Sequence, residues 1–443
     1  MTDRRTFLRA AGWGLVAAPF AKSAVALNVR EFGAKGDGVA KDTPAIQAAV
    51  DRCSVLGGGE VGVSAGNYLT GAIALRSGVV LRLDRDAVIT GTPDFADYPV
   101  TQVRWEGKWI PGHVGLIYAL DAERIGVVGP GKIVGNPAVG GRPTAVSPLR
   151  HPALIETINC REIRFEDFST EYRLMWCIHP TLCENISIKN LTIRSTGGNG
   201  DGIDIDSCKH VRIDGCDIAT GDDCIAIKSG RGSEAWAVGK DTEDVVISNC
   251  TFADSIFACI GIGSETSGGI RGVRIEKCKF THAQTFAIYI KSRVGRGAFI
   301  EDVSVDDVDA SGMVQGFLRV NSLSSGLQDE APVAGLEGVP RLRNFSFTKI
   351  RVKDCPWLAD VTGVHPQKPL EGFVFSDVSG TAAKGISLAN VRGARIEGVK
   401  VTGISGPVVG VSNATGIGLE GAATIEGPKV PELVVGAGEY RLR

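Results

Sequence analysis

Three aspartates stand at the start of two short alternating runs. The first run is Asn199-Gly-Asp201-Gly-Ile203-Asp204-Ile205-Asp206-Ser207, and the second is Gly221-Asp222-Asp223-Cys224-Ile225-Ala226-Ile227-Lys228-Ser229. Superposing their Ile pairs sets Asp201 beside Asp223 and Asp206 beside Lys228. Gly263 or Ser264, and then Lys291, continue that second column in the runs 257–264 and 286–292. In adjacent parallel strands, equivalent residues lie about 4.8 Å apart. Carboxylates stacked at that distance, with Asp222 as a third, repel one another and raise at least one pKa toward the range a general acid needs. The same residues also read as solvated surface acids, or as oxygen ligands for calcium. Asp204 and Asp206, alternating with inward Ile, fit a surface row as well as a site.

The elements that position these residues follow from a repeat. Three alternating apolar positions, a polar pair and a further apolar residue or Cys recur as Ile163-Arg-Phe-Glu-Asp-Phe168, Ile186-Ser-Ile-Lys-Asn-Leu191 and Val211-Arg-Ile-Asp-Gly-Cys216. The motif returns at Val245, Val273, Val303, Phe345, Phe373 and Ala394. Period-2 alternation at this spacing predicts one coil of a parallel β-helix per repeat. Cys216, Cys250 and Cys278 hold one position in successive coils, which predicts an internal ladder of thiols. The longer intervals mark loops inserted at fixed corners, where they wall a binding face. Coils after residue 340 carry less regular repeats and are expected to fit least well. Asp42-Thr43-Pro44 predicts an N-cap and first turn for a short helix, Ala45 to Cys53, covering the open end of the solenoid.

Composition agrees with one long all-β chain. Hydrophobic residues are 43 %, charged 22 % and aromatic 6 %, and 58 glycines among 443 residues supply many tight turns. A net charge of −2 excludes a basic nucleic-acid binder. Arg4-Arg5-Thr6-Phe7-Leu8-Arg9, an apolar stretch from Ala10 to Ala21 and Ala24-Val25-Ala26 predict a cleaved twin-arginine signal over 1–26, hence periplasmic or secreted protein. No later stretch is long enough to span a bilayer. The eleven cysteines show neither a C-x-x-C pair nor zinc spacing and are expected to be buried small hydrophobes. The expected architecture is a single-domain right-handed parallel β-helix over 27–443, with a short capping helix.

The motifs Asn199-x-Asp201-Gly, Gly221-Asp222-Asp223-Cys224-Ile225-Ala226-Ile227-Lys228-Ser229 and the Gly-Ser-Glu-Thr-Ser-Gly-Gly run at 263–269 resemble the polygalacturonase family, glycoside hydrolase family 28. Arg104-Trp105-Glu106-Gly107, Gly129-Pro-Gly131, Pro152-Ala-Leu-Ile155 and Trp176-Cys-Ile-His-Pro180 look like its other landmarks, from about residue 28 to about 310. The resemblance implies inverting hydrolysis of a pectin-type, galacturonic-acid-containing chain. Asp222 would be the general acid, and Asp201 and Asp223 would position and deprotonate the attacking water, with roughly 6.5–9.5 Å between acid and base. Asn199, Lys228, Glu265, Tyr289, Lys291 and Arg293 would bind substrate. No cofactor or metal is implied, and the expected protein is a monomer acting on an anionic polysaccharide or oligosaccharide.

Two positions depart from the family pattern. Its Gly-His-Gly falls near Phe257-Ala258-Cys259, with no His between 211 and 281, and its Arg-Ile-Lys reads Tyr289-Ile290-Lys291. Losing that Arg predicts weak action on plain homogalacturonan and better action where a neutral sugar such as rhamnose sits, unless Arg293 or Arg296 reaches back. His282 is a candidate replacement for the missing His. Lys228, Lys291, Arg293 and Arg296 follow equivalent strands and are expected to gather on one side of a cleft, which suits a polyanionic sugar. A rhamnogalacturonan hydrolase, a calcium-dependent polysaccharide lyase and a non-catalytic glycan-binding protein are the alternatives.

Overall fold

A computed structural model describes residues 25–145 and 148–431, so the expected signal lies outside the described residues except for Val25 and Ala26, which begin the first strand. The described chain winds into a right-handed parallel β-helix, a 32-stranded sheet with every coil hydrogen-bonded to the next. The repeat read from the sequence stacks in register: Ile163, Ile186, Val211, Val245, Val273, Val303, Phe345 and Phe373 are successive Cα partners. Their side chains point inward and are buried in one continuous core.

The polar pair of each repeat has a backbone reason. Its second residue takes a left-handed conformation at Asp167, Asn190, Gly215, Asn249, Lys277, Asp307, Lys349 and Asp377. Asn, Asp and Gly tolerate that conformation best, which is why they fill most of these corners. Adjacent corners also bond one another, as in Asn190 Nδ2 donating to Asp167 Oδ1 at 2.9 Å. Just inside the corner lie Cys216, Cys250 and Cys278. A second thiol column, Cys160, Cys183 and Cys208, is linked by backbone N–H donation to sulfur at 3.3 and 3.4 Å. All eleven cysteines are buried and unpaired.

One expectation changes. The helix runs Thr43–Val55 and buries Ile46, Ala49, Val50 and Cys53, but Asp42 does not cap it with its side chain. The Asp42 carboxylate instead accepts from the Lys35 and Gly36 N–H groups at 2.6 and 2.9 Å, tying down the preceding turn. In the coils beyond residue 340, strands Arg341–Gly363 and Leu370–Thr402 are the longest among the described residues, and their ladders shift register between Val352 and Cys355 and between Val391 and Ala394.

One row of strands carries the site: Ile178–Thr181, Ile203–Asp206, Ile225–Lys228, Ile260–Ile262, Phe286–Lys291 and Gly316–Asn321. Inward Ile residues, replaced by Leu318 and Val320 in the last strand, anchor the row, so the intervening residues project outward on the same face. Three insertions rise beside this row. They are an antiparallel hairpin, Val100–Trp105 with Lys108–His113, a short helix, Gly232–Val238, and the segment 322–340.

Candidate active site

The strand register pairs Asp206 with Lys228, as the superposed Ile pairs predict, and aligns Asp201 with Asp223 just ahead of the strands. One oxygen from each of Asp201, Asp222 and Asp223 lies within 4.8 Å of the others. Asp201 and Asp223 are 4 % and 2 % exposed, while Asp222 is half-buried. The acids therefore converge more tightly than the 6.5–9.5 Å expected from inverting geometry, as measured between nearest oxygens. The cause is local: Asp222 and Asp223 are neighbours at one strand start, and Asp201 is a single coil away.

Backbone bonds hold the acidic turn. The Asp222 carbonyl accepts from Thr220 Oγ1 and Ser255 Oγ, both at 2.8 Å, and Asp222 Oδ1 accepts from the Asp223 N–H at 3.0 Å. Asp223 Oδ1 takes the Ala258 N–H at 3.3 Å, at the segment where the family His would fall. Lys291 Nζ lies 2.6 Å from Asp223 Oδ2 and 4.4 Å from the centroid of the Phe257 ring. Lys228 bonds Asp204, lies 3.8 Å from Asp201 Oδ2 and sits 4.5 Å from the centroid of the Trp176 ring.

Burial pushes Asp201 well above the ordinary carboxylate range, and the charges of Asp204 and Asp222 add to it. Asp223 is pushed up to about 6 by burial and by Asp222, against the pull of Lys291. Burial works to lower Lys228, but Asp204, Glu265 and Asp201 together hold it well above its usual value. The three carboxyls form an oxygen set that a hard cation could use. Two ammonium groups, Lys228 and Lys291, already supply positive charge at its edge.

A cavity of about 150 Å³ opens over this cluster, lined by Asn199, Lys228, Glu265 and Lys291 as well as the three aspartates. Asn199 accepts from Arg142 Nε. Burial would raise Glu265, but Lys228, Arg231, Arg296 and Lys291 around it hold it below the ordinary range. Tyr289 and Arg293 are not among the lining residues. The Tyr289 hydroxyl bonds Ser325 Oγ at 2.9 Å, and the Arg293 guanidinium donates to the Gly326 carbonyl. His282 is also away from the cavity, with Nδ1 2.5 Å from Asp254 Oδ1. Asp204 and Asp206 are fully buried beneath the site rather than solvated, paired with Lys228 and with Arg104 at 3.0 Å.

Sequence reasoning gave no site role to Glu106, Trp176, Arg231, Gly326 and Leu327, all of which line the cavity. Glu106 and Trp176 lie within the motifs Arg104-Trp105-Glu106-Gly107 and Trp176-Cys-Ile-His-Pro180. The others come from insertions whose lengths signalled a wall but whose residues carry no periodic signal. Trp105 of the hairpin stacks on Trp176 at 5.0 Å, and Lys108 reaches to 3.6 Å of Asp329 in the segment 322–340.

Residues 53–318 match the profile of glycosyl hydrolases family 28. A probable polygalacturonase of Vitis vinifera is 30 % identical over 362 residues, covering 79 % of this chain and 73 % of the relative. The crystal structure of a hyperthermoactive exopolygalacturonase from Thermotoga maritima superposes with a TM-score of 0.75 at 25 % identity, over 86 % of this chain and 92 % of that one. A family 28 exopolygalacturonase from Yersinia enterocolitica shares the fold with a TM-score of 0.77 at 19 % identity, over 88 % and 78 % of the two chains. The chain belongs to glycosyl hydrolase family 28 and is a polygalacturonase-like glycoside hydrolase acting on O-glycosyl bonds.

Proposed function

We propose that the protein hydrolyses galacturonic-acid-containing polysaccharide or oligosaccharide with inversion at the anomeric carbon. The observation that carries hydrolysis is the convergence of Asp201, Asp222 and Asp223 under a cavity edged by Lys228 and Lys291, while inversion is what the family resemblance implies. Asp222, the most accessible of the three, gives its proton to the leaving glycosidic oxygen. Asp201 and Asp223 align a water on the opposite side and take its proton as the C–O bond forms, so the cluster ends the cycle with one proton moved between its members. Asn199, Glu265, Lys228 and Lys291 orient the sugar, and Lys291 keeps Asp223 aimed.

Both solved relatives above are exopolygalacturonases. Here the hairpin and the segment 322–340 approach each other through Lys108 and Asp329, which favours attack at a chain end over attack within a chain. Export follows from Arg4-Arg5 and the apolar stretch behind them; replacing both arginines by Lys should leave the protein in the cytoplasm.

Incubation with homogalacturonan and with rhamnogalacturonan tests the reading, with products followed by mass and by the anomeric proton signal. The expected result is hydrated product whose first-formed anomer is opposite to that of the substrate linkage. Retained configuration would overturn inversion, and an unsaturated product absorbing in the ultraviolet would identify a lyase.

A further inference from the structure

Four cations line the cavity over the aspartates, and three of them are committed. Lys228 bonds Asp204, Lys291 bonds Asp223, and Arg296 bonds the Ser264 carbonyl, the Leu327 carbonyl and Asp329. Arg231 differs. It is 4 % exposed and pairs with Asp329 Oδ1 at 3.3 Å, but among the described residues its guanidinium makes no hydrogen bond and its Nε is enclosed.

The nearest carboxylates leave those donors without a hydrogen bond. Asp329 Oδ1 is 3.3 Å from Nε and 3.6 Å from Lys108 Nζ, while Asp329 Oδ2 bonds Arg296, so three cations share one carboxylate. Glu106 Oε2 is 3.9 Å from a terminal nitrogen of Arg231, beyond hydrogen-bond distance. A buried guanidinium with unspent donors costs several kcal/mol unless an anion meets it. Its planar fork fits a carboxylate through two parallel bonds.

The side chain is also held in place. The Arg231 N–H donates to the Gly107 carbonyl at 3.0 Å. Gly107 has φ +81°, and a Cβ there would stand 2.7 Å from Arg231 Cβ and 2.9 Å from Glu265 Cγ. The hairpin tip therefore closes on Arg231 as only glycine allows, and fixes it against the cavity wall.

We propose that Arg231 receives the carboxylate of a uronate unit of the substrate, making it a specificity-determining residue for free-acid over esterified or neutral sugars. This rests on the glycosidase reading above and deepens it. It also gives the cavity a carboxylate anchor that does not depend on Tyr289, Arg293 or Arg296.

The test compares kcat/KM on trigalacturonate and on its fully methyl-esterified form, for the wild type, Arg231→Gln and Arg231→Lys. The wild type should prefer the acid. Arg231→Gln should lower the acid-to-ester ratio about 10- to 100-fold, chiefly through KM, the weight of one charge-assisted bidentate contact. Arg231→Lys should keep part of the preference. A ratio that stays at the wild-type value in either variant overturns the proposal, whatever the absolute activity, because a purely structural role would affect both substrates alike. If Arg231→Gln does not fold, the ratio for Arg231→Lys decides. If the wild type cleaves neither compound, the hydrolase reading fails. Calorimetric binding of acid against ester to the wild type and Arg231→Lys then decides the anchor separately.

Discussion

Asp223 and Lys291 are joined across an intervening coil that contributes only glycine beneath the contact. Their carboxylate and ammonium groups lie 2.6 Å apart, although the residues belong to coils two steps apart in the stack. Gly261 occupies the coil between them, and a Cβ built there would stand 2.4 Å from Asp223 Oδ2. The bare backbone lets Asp223 lean over one coil and meet the lysine of the next. This aims one carboxylate of the cluster and offsets part of its charge.

Asp222 is the proposed proton donor, and Asp222→Asn preserves shape while removing the proton. The variant should lose about 10²–10⁴ in kcat, the usual weight of general acid catalysis, with substrate binding retained. Wild-type turnover in this variant would remove Asp222 from the mechanism.

Stability should depend on pH through Asp223. Its carboxyl is pushed up to about 6 in the folded protein, chiefly by burial, and returns to about 4 when unfolded. Between those values the folded state holds a proton that the unfolded state has released, so stability falls as pH rises through the window. Asp201, also raised, acts in the same direction. Tm should be higher at pH 5 than at pH 7, and Asp223→Asn should flatten that difference. Equal slopes in the two proteins would contradict the assignment.

The hairpin wall depends on a buried pair. Arg104 Nε lies 3.0 Å from Asp206 Oδ2 with both side chains enclosed, and despite burial Arg104 holds the Asp206 carboxyl below its ordinary range. Arg104→Leu strands that charge and should cost about 3–5 kcal/mol in chemical denaturation. Replacing Asp206 by Leu as well should recover part of the loss. A single variant as stable as the wild type would show that the pair contributes nothing.

The solenoid and its acidic centre were legible because both are written periodically. Inward Ile and Val fix the register, and once Ile203 pairs with Ile225 the placement of Asp201 against Asp223 follows. What was not legible depends on side chains crossing between coils or arriving from insertions. Tyr289 occupies the expected strand position, yet its hydroxyl turns to Ser325. Arg231 follows the Lys228 strand by three residues and is brought to the cavity by a hairpin more than a hundred residues earlier. Asp42 has the sequence of a helix cap, but nearer N–H groups in the preceding turn take its carboxylate.

Gly261→Ala tests the arrangement that joins Asp223 to Lys291. The backbone at Gly261 has no positive φ, so alanine is conformationally acceptable there, and its methyl group would point outward over the site strands. The obstacle is the Asp223 carboxylate alone, with all three of the nearest atoms to that Cβ belonging to it. The chain should therefore fold, with Asp223 displaced and its bond to Lys291 lengthened or broken. A misplacement near 1 Å in a catalytic group costs on the order of 10²-fold in rate, so kcat should fall by about that factor while Tm changes by only a few degrees. The displaced carboxylate loses the lysine that held its pKa down, so the acidic limb of the pH–rate profile should also move upward. Unchanged kcat with an unchanged profile would mean that Asp223 does not need Lys291 to act.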